Sequence, residues 1–154
     1  MIETRPLFDI KLHVPQVIDI GETPLGRRRI AAVTGGEFQG ERLRGTVVGA
    51  PTTPAGDWLL QRTDGVTTFD VRLLLRTDDA EHICMTYRGV RHGPAGVMAR
   101  LAAGESVDSK TYYFRITPVF ETAARKYEWI NRIVAVGVGR REPTGPIYSI
   151  AEVL

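Results

Sequence analysis

A single domain of antiparallel β-strands, closing into a barrel or sandwich, is the fold class this sequence predicts. Three observations predict it. Apolar and polar residues alternate over strand-length segments, turn-forming residues interrupt the chain at short intervals, and only one stretch carries helical periodicity. The 154 residues suit one domain, and 43% hydrophobic with 25% charged residues is near the globular average. Disordered, collagen-like and coiled-coil chains are excluded, and no linker or repeat divides 1–154.

Residues 7–14 place Phe8, Ile10, Leu12 and Val14 on one face and Asp9, Lys11 and His13 on the other, a half-buried antiparallel strand. Strand-like runs follow at 27–34, 42–48, 58–62 and 66–76, separated by Gly35-Gly36, the stretch from Pro51 to Gly56, and Asp64-Gly65. Asp64-Gly65 reads as a hairpin turn, because glycine tolerates the positive φ such turns need. The run Arg27-Arg28-Arg29 cannot face one phosphate backbone, since strand side chains alternate, and it reads as a solvated strand with one arginine turned inward. Beyond Thr77-Asp78-Asp79, residues 81–88 set Ile83, Met85 and Tyr87 against His82, Cys84 and Thr86. A helix is expected at 94–103, with Pro94 at its first position, a stripe of Val97, Met98, Leu101 and Ala102, and Gly104 as terminator. It would cover or plug the sheet. Strands near 110–119, 130–139 and 147–153 complete the chain, with 126–129 a short turn or helical piece.

Charge narrows the partners. Lys+Arg total 20 against 18 Asp+Glu, a net charge of +2, so no strongly basic surface implies nucleic acid. The single Cys84 excludes an internal disulfide, and the N-terminus lacks the basic-then-apolar order of a secretory signal. No stretch approaches the ~20 apolar residues of a spanning helix, so a reducing cytoplasm and no membrane are expected. Cys84 reads as a small buried thiol.

Familiar cofactor signatures are missing. Gly35-Gly36 and Gly40 are not spaced as a dinucleotide fingerprint, no phosphate loop is present, and no Gly-x-Ser-x-Gly elbow occurs. His13, His82 and His92 have neither a close carboxylate nor a cysteine pattern, so no metal and no cofactor is expected. His92, in a loop with Gly93 and Pro94, stays a candidate pocket residue. What remains are Asp, Glu, Tyr and Arg side chains, sufficient for cofactor-free proton transfer if a cavity gathers them.

A set of patches in order carries a resemblance: Gly35-Gly36-Glu37-Phe38-Gln39-Gly40, Leu43-Arg44-Gly45, Asp57-Trp58, Asp70-Val71-Arg72, Thr77-Asp78-Asp79, the run from Tyr112 to Glu121, and Tyr127-Glu128-Trp129-Ile130-Asn131. Together they resemble the family labelled domain of unknown function 3237 over almost the whole chain. The resemblance implies a closed antiparallel β-barrel, somewhat lipocalin-like, that associates as a homodimer. It also implies kinship with enzymes that add a hydroxyl across an activated double bond without a cofactor. Asp79 where the family more often has glycine, and Ile130 where it often has leucine, are mild departures.

Within 66–76, Thr67, Phe69, Val71, Leu73 and Leu75 share one face, and Asp70 and Arg72 are neighbours on the other. They form either a solvated ion pair worth about 0–1 kcal/mol or, if that face lines the lumen, a carboxylate and a guanidinium that orient a substrate carbonyl. Tyr113 and Arg115 likewise point together, a pair suited to proton transfer beside a carbonyl or else a solvated rim. Glu121 is a further proton donor or acceptor, or a charge at a corner. Trp58 and Trp129 are large enough to wall a pocket, with Asp57 and Asn131 to orient a ligand, though either tryptophan also suits ordinary core packing. The expected activity is a cofactor-independent acid–base enzyme acting on a small, partly apolar carbonyl or enone compound by hydration, internal hydroxyl addition or isomerisation. Tyr113 or Glu121 would move the proton, with Asp70 an alternative base and Arg72 and Arg115 stabilising the enolate. The rival is a lipocalin-like carrier of a small hydrophobic ligand.

Overall fold

The computed structural model describes residues 1–154. Its strands are β1 (Thr4–His13), β2 (Val17–Thr23), β3 (Gly26–Ala32), β4 (Gly35–Gln39), β5 (Arg44–Val47), β6 (Gly56–Gln61), β7 (Thr67–Thr77), β8 (His82–His92), β9 (Tyr113–Glu121), β10 (Val134–Glu142) and β11 (Gly145–Val153). One α-helix, α1 (Ala95–Ala102), and two 3₁₀ pieces at Ser109–Thr111 and Arg125–Arg132 are the rest of the regular structure. No helix is long and apolar enough to cross a membrane.

The strands form one antiparallel sheet in the order β2-β3-β6-β7-β5-β4-β1-β11-β10-β9-β8, and pairing of β8 with β7 closes it. β4 pairs with β1 and β5, whereas β3 pairs with β2 and β6. Thus β1/β2, β3/β4 and β5/β6 are three long strands broken by bends, and the barrel has eight staves. β7 is the junction: Thr67–Arg72 run beside β6, Leu75–Thr77 beside β5, and the opposite edge carries β8. Closure removes free edges from most of the sheet.

Alternation then decides what lies inside. A core of 28 buried side chains fills the barrel, including Phe8, Ile10 and Leu12 of β1, Phe69, Val71, Leu73 and Leu75 of β7, and Ile83, Met85 and Tyr87 of β8. Fully burying one such side chain contributes about 1.5–3 kcal/mol. One end of the lumen is mainly apolar, with Phe8 packed against Phe38 at 5.3 Å and Phe120 at 5.9 Å between ring centroids. The other end is aromatic and polar: Phe69 stacks on Phe114 at 5.0 Å, and Tyr148 meets Phe114 and Tyr87 edge-on at 5.3 and 5.2 Å.

The helix and the long alternating strands fall where the sequence predicts them, with Pro94 as N-cap and not first helical residue. Two strands are unforeseen. β2 pairs only with β3, has a bulge between Asp19 and Gly21, and leaves Val17, Ile18 and Ile20 exposed, so it shows no two-residue burial period. β4 begins at the glycine pair that reads as a turn, where Gly36 has φ +154° and a side chain would sit 2.1 Å from the Lys11 carbonyl oxygen. That pair serves a close strand approach. Cys84 is exposed, not buried, because its face of β8 points away from the lumen. Residues 125–132 form a 3₁₀ piece, which delays the following strand to Val134. Asp79 docks that piece, accepting from Lys126 Nζ at 2.6 Å, Thr77 Oγ1 at 2.6 Å and Tyr127 Oη at 2.7 Å, and these donors hold its carboxyl well below the usual range.

The short β5–β7 ladder is a vulnerable seam. At Gly45 an added Cβ would lie 2.0 Å from the Arg76 carbonyl oxygen and 2.8 Å from the Thr77 Cα, both backbone atoms of β7. Gly45→Ala is therefore expected to destabilise the barrel by about 2 kcal/mol or more through backbone displacement, measured as a fall in urea midpoint at unchanged slope.

Candidate functional site

Charged and hydroxyl-bearing side chains enter the lumen at its aromatic end. Asp57 lies on β6 two residues before buried Leu59, and the register sets it beside Val71, which in turn faces Tyr87. Its Oδ1 accepts a long hydrogen bond, 3.4 Å, from the Asp70 amide, between the two stretches of the β6–β7 ladder. Burial pushes the Asp57 carboxyl up to about 7, while the Asp70 amide and the Arg91 charge hold it from rising further. Arg91 shares the inner face of β8 with Ile83, Met85 and Tyr87, and its guanidinium lies 5.3 Å from the centroids of both Phe69 and Phe114. Burial and the neighbouring Arg141 charge lower it to about 10. Tyr87 Oη donates to Tyr148 Oη at 3.2 Å inside the core. Burial pushes both phenols above the ordinary range, so they are neutral hydrogen-bonding groups and not bases.

The packed lumen leaves an inner cavity of only about 30 Å³ beside Asp57, Tyr87, Arg91, Arg141 and Tyr148. Arg91 and Arg141 also line a larger cavity of about 370 Å³ at the barrel mouth, where Met98, Leu101 and Ala102 of α1 form one wall. The two spaces meet at those guanidinium groups. The Arg141 amide donates to Tyr112 Oη at 2.9 Å, which fastens the end of β10 to the residue preceding β9.

The residues singled out from sequence separate into three places. Asp57 is inside. Trp58, Asp70, Tyr113 and Arg115 gather on the outer face, along an open groove of about 590 Å³. Arg72 is on that face also, and Arg115 lies over the Tyr113 ring at 4.6 Å while His92 stacks on it at 5.0 Å. The outward course follows from packing: Phe69, Val71, Leu73 and Leu75 fill the lumen, so Asp70 and Arg72 between them face solvent. The enolate site proposed for a lumen-facing Asp70, Arg72, Tyr113 and Arg115 is therefore not assembled in the lumen. Asp70 instead faces Arg88 at 3.7 Å on the exposed surface. At the far end, Glu121 is exposed opposite Cys84, and Trp129 lies under the Arg42 guanidinium at 4.1 Å. Asn131 accepts from the Thr122 amide at 2.8 Å and donates to the Thr122 carbonyl at 2.9 Å, a structural clip with no free polar atom directed at a ligand.

Arg91, Tyr87 and Tyr148 are the interior groups not picked out from sequence, and Arg141 joins them from the exposed end of β10. Arg29, with its Nε buried, is the inward-turned arginine expected of the 27–29 run. Strand parity carried the signal. Arg29 shares a face with buried Ala31 and Val33, and Arg91 with Tyr87 and Met85. A charge on an apolar face is costly unless something compensates it.

A family model described as a protein of unknown function, DUF3237, matches residues 2–153. A UPF0311 protein of Rhodopseudomonas palustris is 32% identical over 154 residues, covering 99% of this chain and 97% of its own. The crystal structure of a conserved protein of unknown function from that organism superposes with a TM-score of 0.94 at 30% identity, covering 100% and 99% of the two chains. A β-barrel-like protein of Acinetobacter baumannii gives 0.85 at 36% identity with 100% and 97% coverage. A Penicillium herquei protein described as an enzyme gives 0.74 at 18% identity with 99% and 95% coverage, a likeness of fold.

Proposed function

The chain belongs to the DUF3237 family of proteins of unknown function, and from that premise we propose that it is a cofactor-independent acid–base enzyme whose chemistry runs at the aromatic end of the lumen. The observation that carries the reading is Asp57: an inward carboxyl, pushed up to about 7, with the Arg91 charge close by. A carboxyl poised near working pH accepts a proton as carboxylate and returns it as acid. The substrate class is a small carbonyl or enone compound.

Asp57 would take the proton of water or of an internal hydroxyl as the oxygen adds to the β-carbon. The alkene π electrons move toward the carbonyl, giving an enolate whose oxygen accepts from the Arg91 guanidinium. Protonation of the α-carbon by Asp57 then restores the carbonyl. The same two groups serve isomerisation, with the α- or γ-proton leaving first. Tyr87 and Tyr148 remain protonated and hold the floor of the site.

The inner cavity of about 30 Å³ has room neither for a lipocalin-like carrier's ligand nor for a whole enone. On this reading the substrate body lies in the adjoining mouth cavity of about 370 Å³, and only its reacting end approaches Asp57 past Arg91. The outer groove with Tyr113 and Arg115 is the competing location. Assays with cyclic enones separate the two: Tyr113→Phe is expected to keep turnover within about threefold of the parent, whereas Asp57→Asn loses it. The opposite ranking would move the chemistry outside.

A further inference from the structure

The mouth under α1 has an unbalanced charge. Arg27, Arg29, Arg91 and Arg141 line its cavity together with Gln61, Thr67 and apolar helix residues, and no carboxylate is among the lining groups. Arg27 is neutralised from outside, by Asp19 at 2.5 Å and Glu22 at 3.5 Å. Arg62, near this rim, is matched to Asp64, and Arg140 to Glu142 at 3.4 Å. Arg29, Arg91 and Arg141 form no ion pair at all, and the buried Arg29 Nε has no hydrogen-bond partner. Three unpaired guanidinium groups facing one cavity repel one another, and a buried donor left unmade carries its full desolvation cost. Arg28, Arg72, Arg76, Arg115 and Arg125 also lack an ion pair, but at the mouth three such guanidinium groups line one cavity.

Asp57, inward of Arg91, supplies at most one counter-charge to the three, and the room left in the mouth for another has a shape. At about 370 Å³ the cavity is within the range of small-molecule sites. One wall is cationic and planar-forked, suited to bidentate pairing with a carboxylate. The facing wall, from Met98, Leu101 and Ala102, is apolar.

We infer that the barrel mouth binds a small organic anion, its carboxylate among Arg29, Arg91 and Arg141 and its apolar body against Met98 and Leu101. This names the substrate class of the interior site and, for its link to turnover, rests on the reading of that site given above. A carboxylate seated there lies at the entrance to Asp57, since the mouth and the inner cavity share Arg91 and Arg141.

Calorimetric titration of the full-length protein with 2-naphthoate, 2-naphthamide and inorganic phosphate tests it. Naphthoate is expected to bind at least tenfold tighter than its neutral isostere and than phosphate, to weaken with added salt, and to lose at least tenfold affinity in Arg29→Met. If Arg29→Met does not fold, Arg141→Met, at the exposed rim, provides the same comparison. Equal binding of naphthoate and naphthamide, or naphthoate affinity unchanged in these variants, would overturn the inference. Phosphate binding as tight as naphthoate overturns the organic part of it. Asp57→Asn separates the two proposals: it should keep naphthoate binding while losing turnover. Anion selectivity absent in a protein whose turnover still depends on Asp57 sinks only the anion site, and selectivity present with turnover indifferent to Asp57 sinks only the acid–base assignment.

Discussion

Replacing Asp57 by Asn should slow turnover of an enone substrate by about 10²- to 10⁴-fold while making the protein more stable at pH 8, the range being that of a lost general acid–base group. The two effects have one cause. In the unfolded chain Asp57 ionises near its ordinary 3.8, and in the barrel burial raises it to about 7. Between those values the native state holds a proton that the unfolded state has released, so stability falls as pH rises through this window and is level above it. Roughly three pKa units correspond to about 4 kcal/mol. Asparagine carries no charge at any pH and retains an oxygen for the Asp70 amide. Urea unfolding of the two proteins should therefore coincide near pH 3.5 and separate by up to about 4 kcal/mol at pH 8, with the variant the more stable. A variant less stable than its parent at pH 8 would mean that Asp57 is a paired carboxylate in the native state, and the acid–base role would go with it.

The sequence shows most of this barrel but not where its chemistry sits. Alternation separates the faces of β1, β7, β8 and β9 correctly, because each buries one side against a dense core. Which face is the lumen is a different question. An eight-stranded barrel has just enough interior for side chains, so the face with Phe69, Val71, Leu73 and Leu75 must be inside and that with Asp70 and Arg72 outside. Looking for polar residues on polar faces therefore leads to the outer groove. The interior site comes from the reverse pattern, Asp57 before Leu59, Arg29 before Ala31, and Arg91 beyond Tyr87, charges in rows that bury apolar side chains. Their convergence depends on three separate ladders, β3–β6, β6–β7 and β7–β8, whose registers no local spacing encodes. Several patches of the family resemblance prove structural in position: Asp79 anchors the 125–132 segment, and Asn131 clips Thr122.

Phe114→Ala should be the most destabilising of the simple core truncations near the site, at about 3–5 kcal/mol, or roughly 10 °C in Tm. Phe114 is only 1% exposed, stacks on Phe69, receives the edge of Tyr148, and has Gly139 against its ring, where an added Cβ would lie 2.8 Å from Cγ. The backbone at Gly139 has no side chain to swing into the vacated volume, so the hole stays and joins the inner cavity. Arg91 loses one of the two rings beneath its guanidinium, and a desolvated cation–π contact is worth about 1–2 kcal/mol. The variant should then pair its lower Tm with weaker 2-naphthoate binding, because Arg91 is no longer held at the junction of mouth and lumen. Phe114→Leu, which refills most of the hole, should recover more than half of the lost stability but not the ring beneath Arg91. Thermal unfolding with and without naphthoate measures both terms. A loss under 1 kcal/mol with binding intact would mean that neither the packed end of the lumen nor Phe114 holds Arg91 in place, and that the cationic mouth is organised from the rim by Arg141 and Tyr112 instead.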